Sequence, residues 1–159
     1  MQNENIQPKG RIRVITTKAG TKEVLRISEW TSNLIMLGTN TGKTLILQRL
    51  IGTNTYSLNL THADMGTSST APSASDTALA TPVARAAVAS GSISGNVATL
   101  QFFFPDGGLA NGTYTEFGSF VDGTGTVSTG KIFNRALFGV PYVKASGEDT
   151  TIEMQVTIT

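Results

Sequence analysis

The 159-residue sequence contains no cysteine, which excludes disulfide staples, zinc–thiolate sites and thiol nucleophiles and leaves no mark of redox compartment. Charge is scarce too, at 14% Asp, Glu, Lys and Arg, against roughly 25% in ordinary soluble domains. Twelve Lys+Arg against 11 Asp+Glu leave a net charge of +1. With no local basic cluster either, nucleic acid and anionic membrane surfaces are not expected as partners. No apolar run approaches the ~18 residues of a membrane span. The opening "MQNENIQPKGR" lacks the basic start and apolar stretch of a secretory signal, so the chain is expected to be soluble and not secreted. A single histidine, His62, leaves just one way to build a Ser-His-Asp triad.

Threonine, at 24 positions, and 17 glycines fill the space that charge leaves. Threonine suits strands and glycine suits tight turns, so the bias points to β structure. A low-charge surface is also easier to bury against a partner, because interface cores are depleted of charge.

Residues 1–10 are polar and are expected to form a flexible arm, with one domain over 11–159. "RIRVITT" and "KEVLRIS" alternate apolar and polar residues around "KAGTK", a hairpin pattern over 11–28. Leu45, Ile46, Arg49 and Leu50 lie at helical spacing and Gly52 is placed to stop a helix, predicting one over 43–51. "YSLNLTHA" alternates again, with Tyr56, Leu58 and Leu60 on one face. The stretch 66–75, "GTSSTAPSAS", is a crossover loop, and Asp76 is placed to cap a helical turn over "TALA". Two strands follow, broken at Gly95-Asn96. "TYTEFGSF", "GKIFNRALFGV" and "TIEMQVTIT" complete the set. About eight strands and one helix without βαβ alternation predict a mainly β fold, an antiparallel β-sandwich with one short inserted helix.

"LGTNTGKTLIL" has the look of a phosphate loop. A P-loop needs G-x-x-x-x-G-K-[ST], whose backbone amides curl around a phosphate. Gly38 to Thr44 is one residue short of that, Leu37 stands where the first glycine belongs, and no βαβ unit surrounds it. A Gly-Thr-Asn turn feeding a helix is the expected structure.

Other chemistry is thin. His62 and Asp64 alternate onto one strand face, yet no second histidine and no cysteine completes a metal site. Glu116 has no carboxylate partner in sequence, and Glu148-Asp149 has the pattern of a solvated turn. Of Phe102, Phe103 and Phe104, at least two are expected in the core. No cofactor is expected.

Four segments, in order, resemble a class of small bacteriophage virion proteins found as tail-fibre, baseplate or collar components or as attachment domains. They are "NLIMLGTNTGKTLILQRLIG"; "GTSSTAPSASDTAL" with Arg85 following; "ANGTYTEFGSF", with Glu116, Gly118 and Phe120; and "IFNRALF" closing in "TIEMQVTIT". Ser119 departs from the leucine usual in that class, "VDGTGTVSTG" is a long insertion, and the hairpin over 11–28 lies outside the match. The resemblance implies a non-enzymatic, homo-oligomeric virion protein that contacts other virion structural proteins. It also implies that Asp76, Arg85, Glu116 and Arg135 are structural or interface residues, paired within or between subunits. A capsid-surface decoration protein and a host-glycan-binding module are the alternatives. For the glycan module the aromatic candidates beyond the phenylalanines are Trp30, Tyr56, Tyr114 and Tyr142.

Overall fold

The alternation of Ile152, Met154, Val156 and Ile158 forces one face of the last strand inward, because side chains in a strand point to opposite faces in turn. Ile152 and Met154 are fully buried, and burial fades towards Ile158 at the strand end. The computed structural model describes residues 7–53 and 55–159. These form nine strands and one α-helix: β1 Pro8–Lys18, β2 Val24–Ile27, β3 Thr31–Ile35, α1 Gly42–Leu50, β4 Leu60–Gly66, β5 Pro82–Ser94, β6 Val97–Phe104, β7 Gly112–Val121, β8 Lys131–Lys144 and β9 Glu148–Ile158, with a short 3₁₀ turn at Asp106–Gly108.

All pairings are antiparallel, as expected, but the sheet does not stay open as a sandwich. The order runs β1-β3-β8-β7-β4-β5-β6-β9, and β9 pairs back onto β1, closing an eight-stranded barrel with β2 as an extra strand beside β1. The closing ladder is long, from Pro8 opposite Ile158 to Lys18 opposite Glu148. Two strands turn the corners. β5 pairs with β4 through Pro82–Ala87 and with β6 through Val88–Ser94, with a bulge between Val88 and Ser90 where it changes partner. β3 bridges β1 and β8 in the same way. Two sheets joined at both corners make a barrel, which corrects the sandwich expectation.

The interior is filled by inward-facing side chains, among them Ile12, Met65, Phe102, Phe104, Phe117, Ile152 and Met154. Phe102 and Phe117 pack with tilted rings 5.8 Å apart, a favoured aromatic geometry. Phe103 points outward, so two of the three phenylalanines are core. At one end Leu45 of α1 packs against Ile35, Val121 and Phe133.

α1 runs one residue earlier than the 43–51 expected. Its end is a Schellman motif: Gly52, at φ 70°, donates to Arg49 O and Thr53 donates to Gln48 O. β1 begins at Pro8, so residues 8–10 of the expected arm are strand; residues 1–6 lie outside the described residues. β4 begins only at Leu60. Leu58 instead sits at φ 65°, in a turn tied down by the Asp122 carboxylate, which accepts from Ser57 N and Ser57 Oγ. No helical turn follows Asp76.

Candidate functional site

Gly66 and Gly118 are where two pieces of backbone come close on the outside of the barrel. A side chain at Gly66 would strike Thr81 O and the Glu116 carboxylate, and one at Gly118 would meet Leu79. That clearance lets the loop from Thr67 to Thr81 lie flat on the outer face of β7 and β8. Ionic groups then pin it there. Glu116, fully buried, accepts from the loop amides of Ser68 (3.3 Å), Ala80 (3.1 Å) and Thr81 (2.7 Å). It also accepts from Arg135 Nη2 at 2.8 Å and Nε at 3.2 Å. Arg135, 2% exposed, donates onward to Asp76 at 2.6 Å and to Thr70 O at 2.9 Å. Burial disfavours the Arg135 cation, but the bonds to Asp76 and Glu116 outweigh it, and its pKa is raised.

A second brace sits beside it. Asp64 on β4 and Arg85 on β5 face each other in register and pair through both carboxylate oxygens, at 2.5 and 3.1 Å. Arg85 reaches on to Thr124 O and Thr129 O, while Ser128 N donates to Asp64. The loop between β7 and β8 is thereby fastened over β4 and β5. Arg85 also lies 4.5 Å from the centroid of the Phe120 ring.

All four residues singled out in the sequence therefore lie in these braces, paired within the chain. Asp76 holds the loop as a salt-bridge acceptor, and as the acceptor of Ser73 N, without capping a helix. Asp64 is the partner that sequence reasoning missed; its period-two relation to His62 drew attention to a metal instead. His62 is part-buried on β4, an inner strand paired with β5 and β7. Its pKa is lowered by burial and by the Arg85 charge. Among the described residues no three His, Asp or Glu side chains gather as metal ligands.

The Gly38–Thr44 turn is not arranged around a phosphate. The amide of Lys43 donates to Met36 O, and those of Thr44 and Leu45 donate to Thr41 O. Gly42, at φ 39°, is pressed against the backbone of Met36 and Phe133. The amides of Lys43 and Thr44, two of those a phosphate loop would offer, are already bonded within the chain.

At the opposite end of the barrel from α1, Glu148 and Asp149 overturn the solvated-turn expectation. Both are buried. Glu148 takes a two-pronged contact from Arg26 at 2.5 and 2.7 Å and a bond from Ala145 N. The Arg26 bond, helped by that amide, holds its carboxyl at a pKa of about 2. Asp149 accepts from Asp106 N and Gly20 N. Nearby the buried Lys144 ammonium donates to Asp106, Asn111 and Ala145 O, using all three of its protons.

A sizeable hollow opens between β2 and β8. It encloses about 500 Å³, within the range of ligand pockets. Its walls include the interior residues Ile12, Val14 and Phe138, with Trp30 and Tyr142. Trp30 is flanked by Arg11 and Arg13, 4.3 and 4.6 Å from its ring centroid. Of the expected glycan-stacking aromatics, Tyr114 and Tyr142 are buried, with hydroxyls bonded to Ala110 O and to Thr16 and Thr150. Tyr56 packs against the Leu45 cluster.

No family model matches this chain, and neither the curated proteins nor the solved structures yield a match.

Proposed function

We propose that this protein is a non-enzymatic structural component of a bacteriophage virion, a homo-oligomeric tail-fibre, baseplate or collar protein that joins other virion proteins. The observation that carries it is the pair of buried ionic braces. They use Asp76, Arg85, Glu116 and Arg135, four charged residues of the resembling segments, in fastening two long loops to the outer barrel wall. Buried ion pairs add little net stability but can specify one arrangement, which suits a part that must present fixed surfaces to its neighbours. Exposed apolar side chains at the end of α1, Leu47 and Leu50 with Ile51 just after it, are surface of the kind that marks protein contacts. The test is capture of purified virion proteins by the immobilised chain. Retention of a discrete particle protein, lost when Leu50 and Ile51 are changed to Glu, is the expected result; no retention of any particle protein would refute the reading.

The hollow with Trp30 at its wall favours a second reading, a host-glycan-binding module, since aromatic walls with a few polar groups suit a sugar. A glycan array with binding abolished by Trp30→Ala would establish it in place of the first.

A further inference from the structure

From Ala86 to Pro105 the chain carries no charged residue, a run of twenty. The fold places this run in the β5–β6 hairpin. Beyond Ala87, β5 has β6 on one side and, among the described residues, no strand on the other, because β4 pairs only as far as His62 opposite Ala87. Val88–Ser94 is therefore a free sheet edge, and everything from Ala89 to Asn96 is exposed. In an antiparallel ladder every second residue directs both its N–H and its C=O away from its partner. An unpaired row of such groups is a template for another strand.

Two other free edges among the described residues, those of β2 and β8, are guarded. Beside β2 stand Lys22, Glu23 and Arg26. On β8, Pro141 has no amide to offer, Thr31 Oγ1 accepts from Gly139 N, and Arg26 Nη2 donates to Val143 O. Charge, proline and side-chain caps are the usual protections of an edge. Along Val88–Ser94 there is no charge and no proline, only Val, Ala, Ser, Gly and Ile, and Ile93 is 80% exposed. Ile93, Ala98 and Val156 align across three strands and with Ile158 line a shallow apolar hollow at the hairpin tip.

We propose that this edge pairs with the same edge of a second copy, joining β5 to β5 antiparallel about a two-fold axis and making one continuous sheet through both barrels. A free backbone edge selects an extended strand as its occupant. The second copy is the strand its chemistry fits, because an uncharged edge meets itself without like-charge repulsion and the chain's net charge is only +1. Small side chains beside Gly91 leave room for close approach, and a two-fold contact needs just this one self-complementary patch. The proposal rests on the homo-oligomeric reading above and specifies its contact.

The test uses the full chain, which has no cysteine of its own. Single cysteines introduced at each position from 89 to 94 are oxidised, and cross-linked dimer is measured on a non-reducing gel. The expected pattern is strong cross-linking at a site near the axis, alternating with weak sites, since bridgeable Cβ atoms lie about 3.5–4.5 Å apart and strand side chains alternate between faces. Leu25→Cys on the guarded β2 edge is expected not to cross-link. Ile93→Lys, at an exposed site where folding is little affected, is expected to halve the native mass of the wild-type species. A wild-type oligomer whose mass Ile93→Lys leaves unchanged, with no cross-linking from 89 to 94, would overturn this contact while leaving homo-oligomerisation standing. A wild type that is monomeric at every concentration would overturn this contact and the homo-oligomeric reading together, without touching the capture of particle proteins.

Discussion

Changing Glu116 to Gln removes one negative charge from a fully buried site. Five donors converge on the two carboxylate oxygens: three loop amides and two Arg135 nitrogens. An amide side chain keeps one oxygen and turns the other into a donor. If the NH₂ takes the Oε2 side, it confronts Ala80 N and both Arg135 nitrogens; on the Oε1 side it confronts Ser68 N and Thr81 N. Each buried donor left unsatisfied costs about 1–3 kcal/mol, and breaking a buried ion pair costs about 3–5 kcal/mol in all. Asp76 still faces Arg135 and keeps the loss near the lower end, about 3 kcal/mol. With a urea slope of about 2 kcal/mol per molar, the unfolding midpoint should fall by roughly 1.5 M. The apolar pair Glu116→Leu with Arg135→Met is more discriminating. Such replacements are often neutral for a simple buried pair, but here the amides of Ser68, Ala80 and Thr81 remain orphaned. The double variant should therefore stay destabilised by at least about 1 kcal/mol. A Glu116→Gln midpoint within about 0.3 M of wild type, about 0.6 kcal/mol at that slope, would refute the brace.

Gly66→Ala should lower stability by about 1–3 kcal/mol, because the new methyl meets Thr81 O, a backbone atom with no room to retreat; equal urea midpoints would contradict this. The Arg26–Glu148 pair gives a pH signature. The Glu148 carboxyl is held below its ordinary value of 4.5, at about 2, so its stabilisation is complete above 4.5 and is lost as pH falls towards 2. Screening at the half-exposed Arg26 limits the effect to about 1–2 kcal/mol, and Glu148→Gln should flatten that part of the stability–pH curve. Tyr142→Phe removes a buried hydroxyl bonded to Thr16 and Thr150 and should cost about 1 kcal/mol in urea unfolding. Lys43→Ala should leave stability within about 0.5 kcal/mol, and calorimetry should detect no ATP binding in either form.

What the sequence revealed was local. The alternation of Ile152, Met154 and Val156, the Gly52 stop and the Gly95-Asn96 turn all depend on neighbours a few residues away, and all appear where expected. Closure of the barrel depends instead on residues 8–18 meeting 148–158, and nothing in either segment's own pattern distinguishes a strand at an open edge from one that closes a ring. Leu58 misled because a residue held at positive φ by Asp122, 64 positions on, still falls into an apolar-polar alternation. The braces were half visible. The resemblance singled out Arg85, Glu116 and Arg135 as charges to be paired within or between subunits, without naming their partners. Their partners arrive from loops or across the sheet, so the Glu116 amide cradle and the Asp64 contact had no local sign. Glu148 and Asp149 misled for the same reason: two adjacent acids resemble a solvated turn until Arg26, Gly20 and Asp106 close over them.

Light scattering after size exclusion, over a range of concentrations, tests the central claim most directly. A homo-oligomeric virion component should give a discrete mass, a small whole-number multiple of the 16.7 kDa chain, stable across dilution. A mass of one chain at every concentration would contradict the account of this protein as a self-assembling structural part.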